Sequence, residues 1–373
     1  MTVITLLNCV RDYGRRSLEG IARYANAHGG WTLALNHEEH VRQRLPAINA
    51  DVRGIIAHAH HPRLLEAMTA TTLPVVNLSG VSTNTGFTTV IPDNTAIGAM
   101  AAEELIGLGY RRLVALSMLR WDHSVERAAT FVDAARERGA SAEVLGLRSW
   151  SGIEQAVRAK LRSAPTPLAI FAGTDAMAAH AVHVCTELGL AVPEQVAVLG
   201  VDNDTLTTRM MWPTISSIDI PWEKLGFVAA RRLDQMMQGE PTDTRPVLIE
   251  PTRVVTRQST DGIGIEDPDV AAAVAFIRAQ RGRPFTIGQV LDAVPVSRRS
   301  LEQRFKKCLG RTLQTHITGV RVELAKQLLT DTDYPMDDVA HRSGFKDATY
   351  FATVFKKSTG TTPTNFRGAH RIN

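Results

Sequence analysis

The chain is poor in cysteine. Its 373 residues hold three, Cys9, Cys185 and Cys308, far apart and without paired spacing. That excludes a disulfide framework and the ligand spacings of zinc and iron–sulfur sites. Free thiols in a reducing cytoplasm are expected. Long hydrophobic runs are missing as well: none reaches the roughly 18 to 20 residues of a membrane helix. The start, Met1-Thr2-Val3-Ile4-Thr5-Leu6-Leu7, lacks the charged segment and cleavage site of a signal peptide and reads as a buried first strand. No phosphate loop or dinucleotide fingerprint stands in a usable position. Gly107-Leu108-Gly109 follows a helical stretch and precedes an apolar one, which makes it a helix stop. His58, His60 and His61 have neither a nucleophile nor a metal cage beside them and read as a polar loop after a strand. No convincing acid–base pair is present. We therefore expect no cofactor, no metal and no catalysis.

What is present is asymmetric. The net charge is +4, yet from Glu266 onward 17 Lys and Arg stand against 11 Asp and Glu, while the rest holds 25 against 27. A basic excess in the last hundred residues suits a polyanionic partner, although a solvated surface would also account for it. The same region repeats itself at an offset of 50. Phe305-Lys306-Lys307 matches Phe355-Lys356-Lys357, Gly310 matches Gly360, and Thr312 matches Thr362. An internal repeat means one structural unit used twice.

Residues 1–258 alternate short apolar runs with amphipathic segments. Runs at 3–7, 31–35, 54–57, 75–78, 113–117, 168–172 and 196–200 predict buried parallel strands. Helices are predicted near 16–27, 95–108, 125–138, 176–188 and 222–237. The alternation predicts a doubly wound α/β fold, which binds ligands at the carboxyl ends of its strands. A linker is expected over 259–267, rich in Gly and Asp, and an all-α domain over 268–373.

In the second domain Ile287, Val290, Leu291 and Val294 make one apolar helix face, Pro295 breaks it, and Ser297 can cap the next helix. That is a helix-turn-helix, with Arg298, Arg299, Glu302, Gln303, Lys306 and Lys307 exposed. Arg can pair with guanine, Gln with adenine, and Glu can accept from cytosine. A second unit starts near Met336 and exposes Ala348, Thr349, Tyr350, Thr353, Lys356 and Lys357. If Val296 aligns with Phe345, its turn is one residue longer. Phe305, Phe351 and Phe355 are expected in the core. The lysines suit either phosphate contact or plain solubility.

The run Gly344-Phe345, Tyr350-Phe351, Phe355-Lys356-Lys357, Gly360-Thr361-Thr362-Pro363, Phe366-Arg367 resembles the signature of AraC-type regulators. Residues 297–305 resemble the first recognition helix of that family. The resemblance implies seven helices and two units entering adjacent major grooves of double-stranded DNA. It places base contacts on Arg299, Glu302 and Gln303, and then on Ala348, Thr349, Tyr350 and Thr353. Many relatives have Arg where this chain has Thr353, which implies a weaker second reader.

In the first domain polar residues stand at strand ends: Asp93, Arg127, Asp175, Asp202 and Asn203. Carboxylates that accept from hydroxyls, and a guanidinium that donates back, suit a polyhydroxylated ligand. Trp121 or Trp222 can stack on a sugar ring or simply fill the core, and each Asp is equally placed to cap a helix. Asp93-Asn94, Gly98, Gly109-Tyr110-Arg111-Arg112, Arg127, Thr174-Asp175-Ala176-Met177-Ala178 and Gly200-Val201-Asp202 resemble LacI-type sensor domains, without their N-terminal DNA-binding headpiece. That resemblance implies two lobes, 1–107 with 221–240 and 108–218 with 245–258, joined by three crossovers. It also lets Arg15 reach the cleft. A LacI-like sensor followed by an AraC-type domain is similar to the bacterial xylose operon regulators. It implies a cytoplasmic, sugar-responsive transcription factor with xylose or a related sugar as effector. A homodimer and, for an activator, RNA polymerase are the implied partners. A regulator sensing a non-sugar metabolite or a protein, and a DNA-tethered sugar-modifying enzyme, stand as alternatives.

Overall fold

The structure, a computed structural model, describes residues 1–35, 51–60, 62–81, 86–240, 245–262, 264–265, 267–280, 283 and 285–370. His61 lies outside them. The chain divides into two units, Met1–Gly262 and Ile263–Asn373. Among the described residues no helix is long and apolar enough to cross a membrane.

Among the described residues the first unit has two six-stranded sheets. One holds β1 (Thr2–Leu6), β2 (Thr32–Leu35), β3 (Val52–Ala57), β4 (Val75–Asn77), β5 (Thr88–Pro92) and β11 (Val247–Ile249), in the order β11-β5-β4-β3-β1-β2. The other holds β6 (Arg112–Met118), β7 (Ser141–Leu147), β8 (Leu168–Ala172), β9 (Val196–Val201), β10 (Ser216–Asp219) and β12 (Arg253–Val255), in the order β12-β10-β9-β8-β6-β7. All described pairings are parallel except β10 with β12. Helices cover the sheets, so β4, β5, β8 and β9 are buried along their whole length. That is why they read as unbroken apolar runs.

The lobes differ from the expected ones at two places. The helix Asn94–Gly107 belongs to the second lobe, where its Ile97, Ala101 and Leu105 share a core with Phe131 and Ala135 of the helix Asp122–Glu137. The first crossover is therefore at Asp93. Residues 247–249 add a strand to the first sheet rather than the second. The crossovers are zipped to one another: Asp93 N–H donates to Ile249 O (2.9 Å), and Thr252 N–H donates to Asp219 O (2.9 Å).

The first lobe is completed by chain from far downstream. Helix Asp12–His28 crosses helix Trp222–Met237 so closely that a Cβ on Gly20 would lie 1.9 Å from Glu223 O, and one on Gly226 would lie 1.9 Å from Ser17 O. The Tyr24 hydroxyl donates to Asp234 Oδ2 across the same contact (2.8 Å).

The linker is shorter than expected at both ends. Ser259 and Thr260 are fully buried in the sensor; Ser259 Oγ donates to Val198 O (2.5 Å) and Thr260 Oγ1 to Ser216 Oγ (2.7 Å). At the far end Asp267 caps the helix Pro268–Ala279 and is gripped by Arg304 Nε (2.6 Å).

The second unit has seven helices among the described residues: Pro268–Ala279, Ile287–Asp292, Arg298–Leu309, Leu313–Asp331, Met336–Arg342, Ala348–Thr359 and Pro363–His370. The repeat is visible as stop and start signals. Gly310 (φ 65°) and Gly360 (φ 79°) end their helices in the left-handed conformation, donating to Lys306 O and Lys356 O. Thr312 then accepts from Thr315 N–H (3.1 Å) and Thr362 from Asn365 N–H (3.3 Å), starting the next helix. Both inter-helix turns span five residues, 293–297 and 343–347, so the second is not longer. Each half has its own core, around Leu301 and Phe305 in one and Phe351 and Phe355 in the other.

The glycine crossing leaves no room for a methyl group on either helix. Gly226→Ala is expected to destabilise the sensor by about 1–3 kcal/mol through overpacking. A thermal melt indistinguishable from the parent would overturn that reading of the contact.

Candidate ligand cleft and nucleic-acid interface

Arg127 forms the centre of the cleft. It stands on the helix Asp122–Glu137, and only 3% of its surface is exposed. A buried guanidinium needs partners in every direction. Its Nε donates to Asn94 Oδ1 (3.0 Å) and its Nη1 to Gly173 O (2.6 Å), so it ties the first crossover to the loop after β8. Asn94 in turn donates through Nδ2 to Glu126 Oε2 (2.9 Å). Burial disfavours the charged guanidinium, and the carboxyls of Asp202, Glu126 and Asp175 favour it.

The two carboxyls differ. Thr174, not Asp175, caps the helix Asp175–Glu187. Asp175 is buried and accepts from Ser217 Oγ (2.6 Å) and Asp204 N–H (2.7 Å). Burial and the nearby Asp202 push its pKa well up. Asp202 sits at φ 105° and Asn203 at φ 52°, backbone that side chains other than glycine seldom adopt. Strain of this kind persists only where surrounding structure enforces it. Among the described residues none hydrogen-bonds to the Asp202 carboxyl. Burial pushes it up to about 7, against the pull of Arg127.

Several residues expected at the ligand are bonded to the frame of the sensor. Asn203 is engaged on both sides of its amide: Nδ2 donates to Asp219 Oδ1 (3.1 Å), and Oδ1 accepts from Arg257 Nη2 (2.6 Å). Asp93 caps its helix by accepting from Ala96 N–H (2.9 Å). Arg15 braces its own loop, donating to Cys9 O (3.1 Å) and Val10 O (2.9 Å). Trp121 is half-buried against the second lobe's core and stacked on His123 (5.6 Å between centroids).

Sequence reasoning missed other residues around the same cleft. Tyr13 packs its ring on His58 (5.0 Å) and Trp222 (5.5 Å). His58 and His123 are held down to about 3, chiefly by burial and then by His60 and Arg127 respectively, so both rings are neutral at pH 7. Trp222 Nε1, His58 Nδ1 and His123 Nδ1 are enclosed, and no described residue satisfies them. The only signal for His58 was its place at the carboxyl end of β3. His123 offered none beyond nearness to Arg127 in sequence.

The lobes touch across this cleft. His123 N–H donates to Gly80 O (2.9 Å) and Asp122 N–H to Val81 O (3.2 Å). Asp12 N–H reaches Asp204 Oδ2 (3.4 Å). A Cβ on Gly80 would stand 3.0 Å from His123 Cβ, so only glycine lets the loops come this close without displacement.

In the second unit Arg298, Arg299, Glu302, Gln303, Lys306 and Lys307 are all exposed on one helix. Ser297 caps that helix by accepting from Ser300 N–H (3.3 Å). Arg298 Nε donates to Glu302 Oε1 (2.9 Å), a pair that must part before either reads a base. Thr349, Tyr350, Thr353, Lys356 and Lys357 are exposed on the other recognition helix. Ala348 is not: it is half-buried against the core. Thr353 turns its hydroxyl back to Thr349 O (3.0 Å). Arg321, on the connecting helix, donates to Phe285 O (3.1 Å), and its Nε lies 3.1 Å from where a Cβ on Gly344 would be. One side chain thus touches both halves of the domain.

Comparison with known proteins agrees with this geometry. A periplasmic-binding-protein-like domain profile matches residues 87–260, and a helix-turn-helix domain profile matches 290–369. The xylose operon regulatory protein of Haemophilus influenzae is 30% identical, over 98% of this chain and 97% of its own. That of Escherichia coli K12 is 31% identical, over 98% and 96%. This chain belongs to the xylose operon regulatory protein family. Membership makes it a DNA-binding transcription regulator. The solved structure of a xylose-binding transcription activator, xylR, superposes with a TM-score of 0.84 at 27% identity, covering 100% of this chain and 98% of that one. A cellobiose complex of the regulator CelR shares the sensor fold alone, at 22% identity and a TM-score of 0.58 over 69% of this chain and 84% of that one.

Asp202 gives the cleft a pH signature. Its carboxyl keeps a proton in the folded chain up to about pH 7, while the unfolded chain loses it near 3.8. The stabilisation is complete below the lower value and is lost as pH rises through the higher. His58 and His123 slope the opposite way but are common to parent and variant, so the difference reports Asp202 together with the carboxyl of Asp175 beside it. Urea melts of Asp202→Asn should lack this loss between pH 4 and 7. A difference that stays constant with pH would count against the assignment.

Proposed function

We propose that this protein is a cytoplasmic, sugar-responsive and sequence-specific transcription regulator whose effector is xylose or a related sugar. The observation that carries this reading is the set of unmatched polar groups in one cleft. Trp222 Nε1, His58 Nδ1 and His123 Nδ1 are buried without a hydrogen-bond partner among the described residues, and the Asp202 carboxyl beside them is matched only by the charge of Arg127. They stand beside the Arg127 guanidinium and the faces of Tyr13 and Trp222. Sugar hydroxyls donate and accept at once, and a sugar's C–H faces suit aromatic rings. Family membership supports xylose. Asp175 binds the frame through both oxygens, which supports a cleft that holds and releases its sugar unchanged.

Closure would bring the lobes onto the sugar, and the sugar stabilises that state only by its difference in affinity between states. Leu206, Met210 and Trp212 are exposed together on and after a short helix, at 66%, 73% and 62%. An apolar patch of this kind supports a homodimer. RNA polymerase is the further partner if the protein activates.

Isothermal titration of the full chain with D-xylose tests the effector. Binding is expected, and Asp202→Ala should abolish it; undiminished binding by that variant would remove Asp202 from the site. The DNA test uses duplexes enriched from a random pool. Two chains per site are expected, and Arg299→Ala should cost about 1–3 kcal/mol while relaxing preference at one base pair. A uniform loss across all sequences would place Arg299 on phosphate.

A further inference from the structure

We infer that the second recognition helix, Ala348–Thr359, reads thymine by its C5 methyl group, through the methyls of Thr349, Ala352 and Thr353. This rests on the sequence-specific DNA reading above.

The repeat lets the two recognition helices be compared side chain by side chain. Phe305 and Phe355 hold equivalent places in the two cores, and both inter-helix turns span five residues. Each helix carries an exposed lysine pair in its last turn and ends on a left-handed glycine. At the same offset of 50, Arg298 corresponds to Ala348, Arg299 to Thr349, Glu302 to Ala352 and Gln303 to Thr353. What anchors the helix is kept. Each of the four long polar side chains is exchanged for one that carries a methyl group.

In a helix-turn-helix the first turns of the second helix lie against base edges in the major groove. Here those turns, residues 348–353, have no charged or amide side chain. They cannot make the two-point bonds by which Arg reads guanine and Gln reads adenine. Ala348 is half-buried on the core, but Thr349, Ala352 and Thr353 are exposed, on one face at helical spacing. Phe351 and Phe355, fully buried, hold that face outward. Thr353 gives its hydroxyl proton to Thr349 O (3.0 Å). The bond fixes the side-chain torsion and leaves the Cγ2 methyl as the branch the helix does not engage.

Exposed alanine and threonine are ordinary on a helix surface. These stand where the first recognition helix carries its four polar readers. Thymine offers a methyl group on its major-groove edge, and the methyls of Ala and Thr are groups that meet it. Cytosine, which has a hydrogen at C5, would leave them without that contact.

The experiment measures binding of the full chain to duplexes enriched from a random pool, with each thymine in turn replaced by deoxyuridine. Uracil keeps the base pair and the O4 acceptor and loses only the methyl. At one thymine or more the replacement should weaken binding about fourfold, the worth of one buried methyl. Thr353→Ser, which removes the side chain's methyl and keeps its hydroxyl, should erase that sensitivity at one of these thymines. Thr353→Val, which does the reverse, should keep it. A melting curve confirms that each variant is folded. If no thymine is sensitive, or if Thr353→Ser changes the sensitivity at none, the methyl reading is overturned while sequence-specific binding stands. The same holds if Val loses the preference and Ser keeps it, which would make the hydroxyl the reader. If no duplex is enriched over random DNA, the sequence-specific reading falls with it.

Discussion

A positive charge without water is the constraint on which the sensor depends. Arg127 cannot reach solvent, and an unmatched guanidinium in the interior would cost more than most single contacts return. Its matching draws together Asn94 at the first crossover, Gly173 after β8, and the carboxyls after β8 and β9. Asp175 then fixes Ser217 and the Asp204 amide, and Asn203 joins Asp219 to Arg257. The strained backbone at 202–203 is held by that web. The cleft is the place where these demands meet, and Asp202 is the member left facing inward without a hydrogen bond of its own.

The parallel strands buried on both faces were legible because water touches neither side, so apolar residues run together. Shorter or edge strands were not. β7 has only two buried positions in seven, and β10 to β12 are three or four residues long. The lobe boundary was misplaced because the helix Asn94–Gly107 is apolar almost all round and gives no face to orient it. In the cleft, Arg127, Asp175 and Asp202 were legible as charged residues at strand ends. Asp93 and Asn203 had the same signal but serve a helix cap and the frame. Tyr13, His58 and His123 were invisible, because only the folded chain brings three distant segments to one place.

The DNA-binding unit shows a different logic. What repeats between its halves is punctuation and core: the glycine stops, the threonine starts and the phenylalanines. What differs is the exposed face. The first recognition helix carries two arginines, a glutamate and a glutamine; the second carries threonines, one of them bonded back to its own helix, and a half-buried alanine. The two cores are separate, so their mutual register depends on the connecting helix and on Arg321, which reaches both.

The crossing of the first helix with Trp222–Met237 also sets an order of assembly on the ribosome. The opening lobe contains residues 2–92 but lacks its closing helix and its β11 strand until residue 249 has been made. The later lobe, which begins at Asn94, has all but its β12 edge strand by residue 219. The half of the sensor synthesised first is thus completed after most of the half that follows it, and its apolar helix faces must wait, uncovered, through the roughly 145 residues of translation between Pro92 and Met237. The DNA-binding unit, built from neighbouring helices, has no such wait.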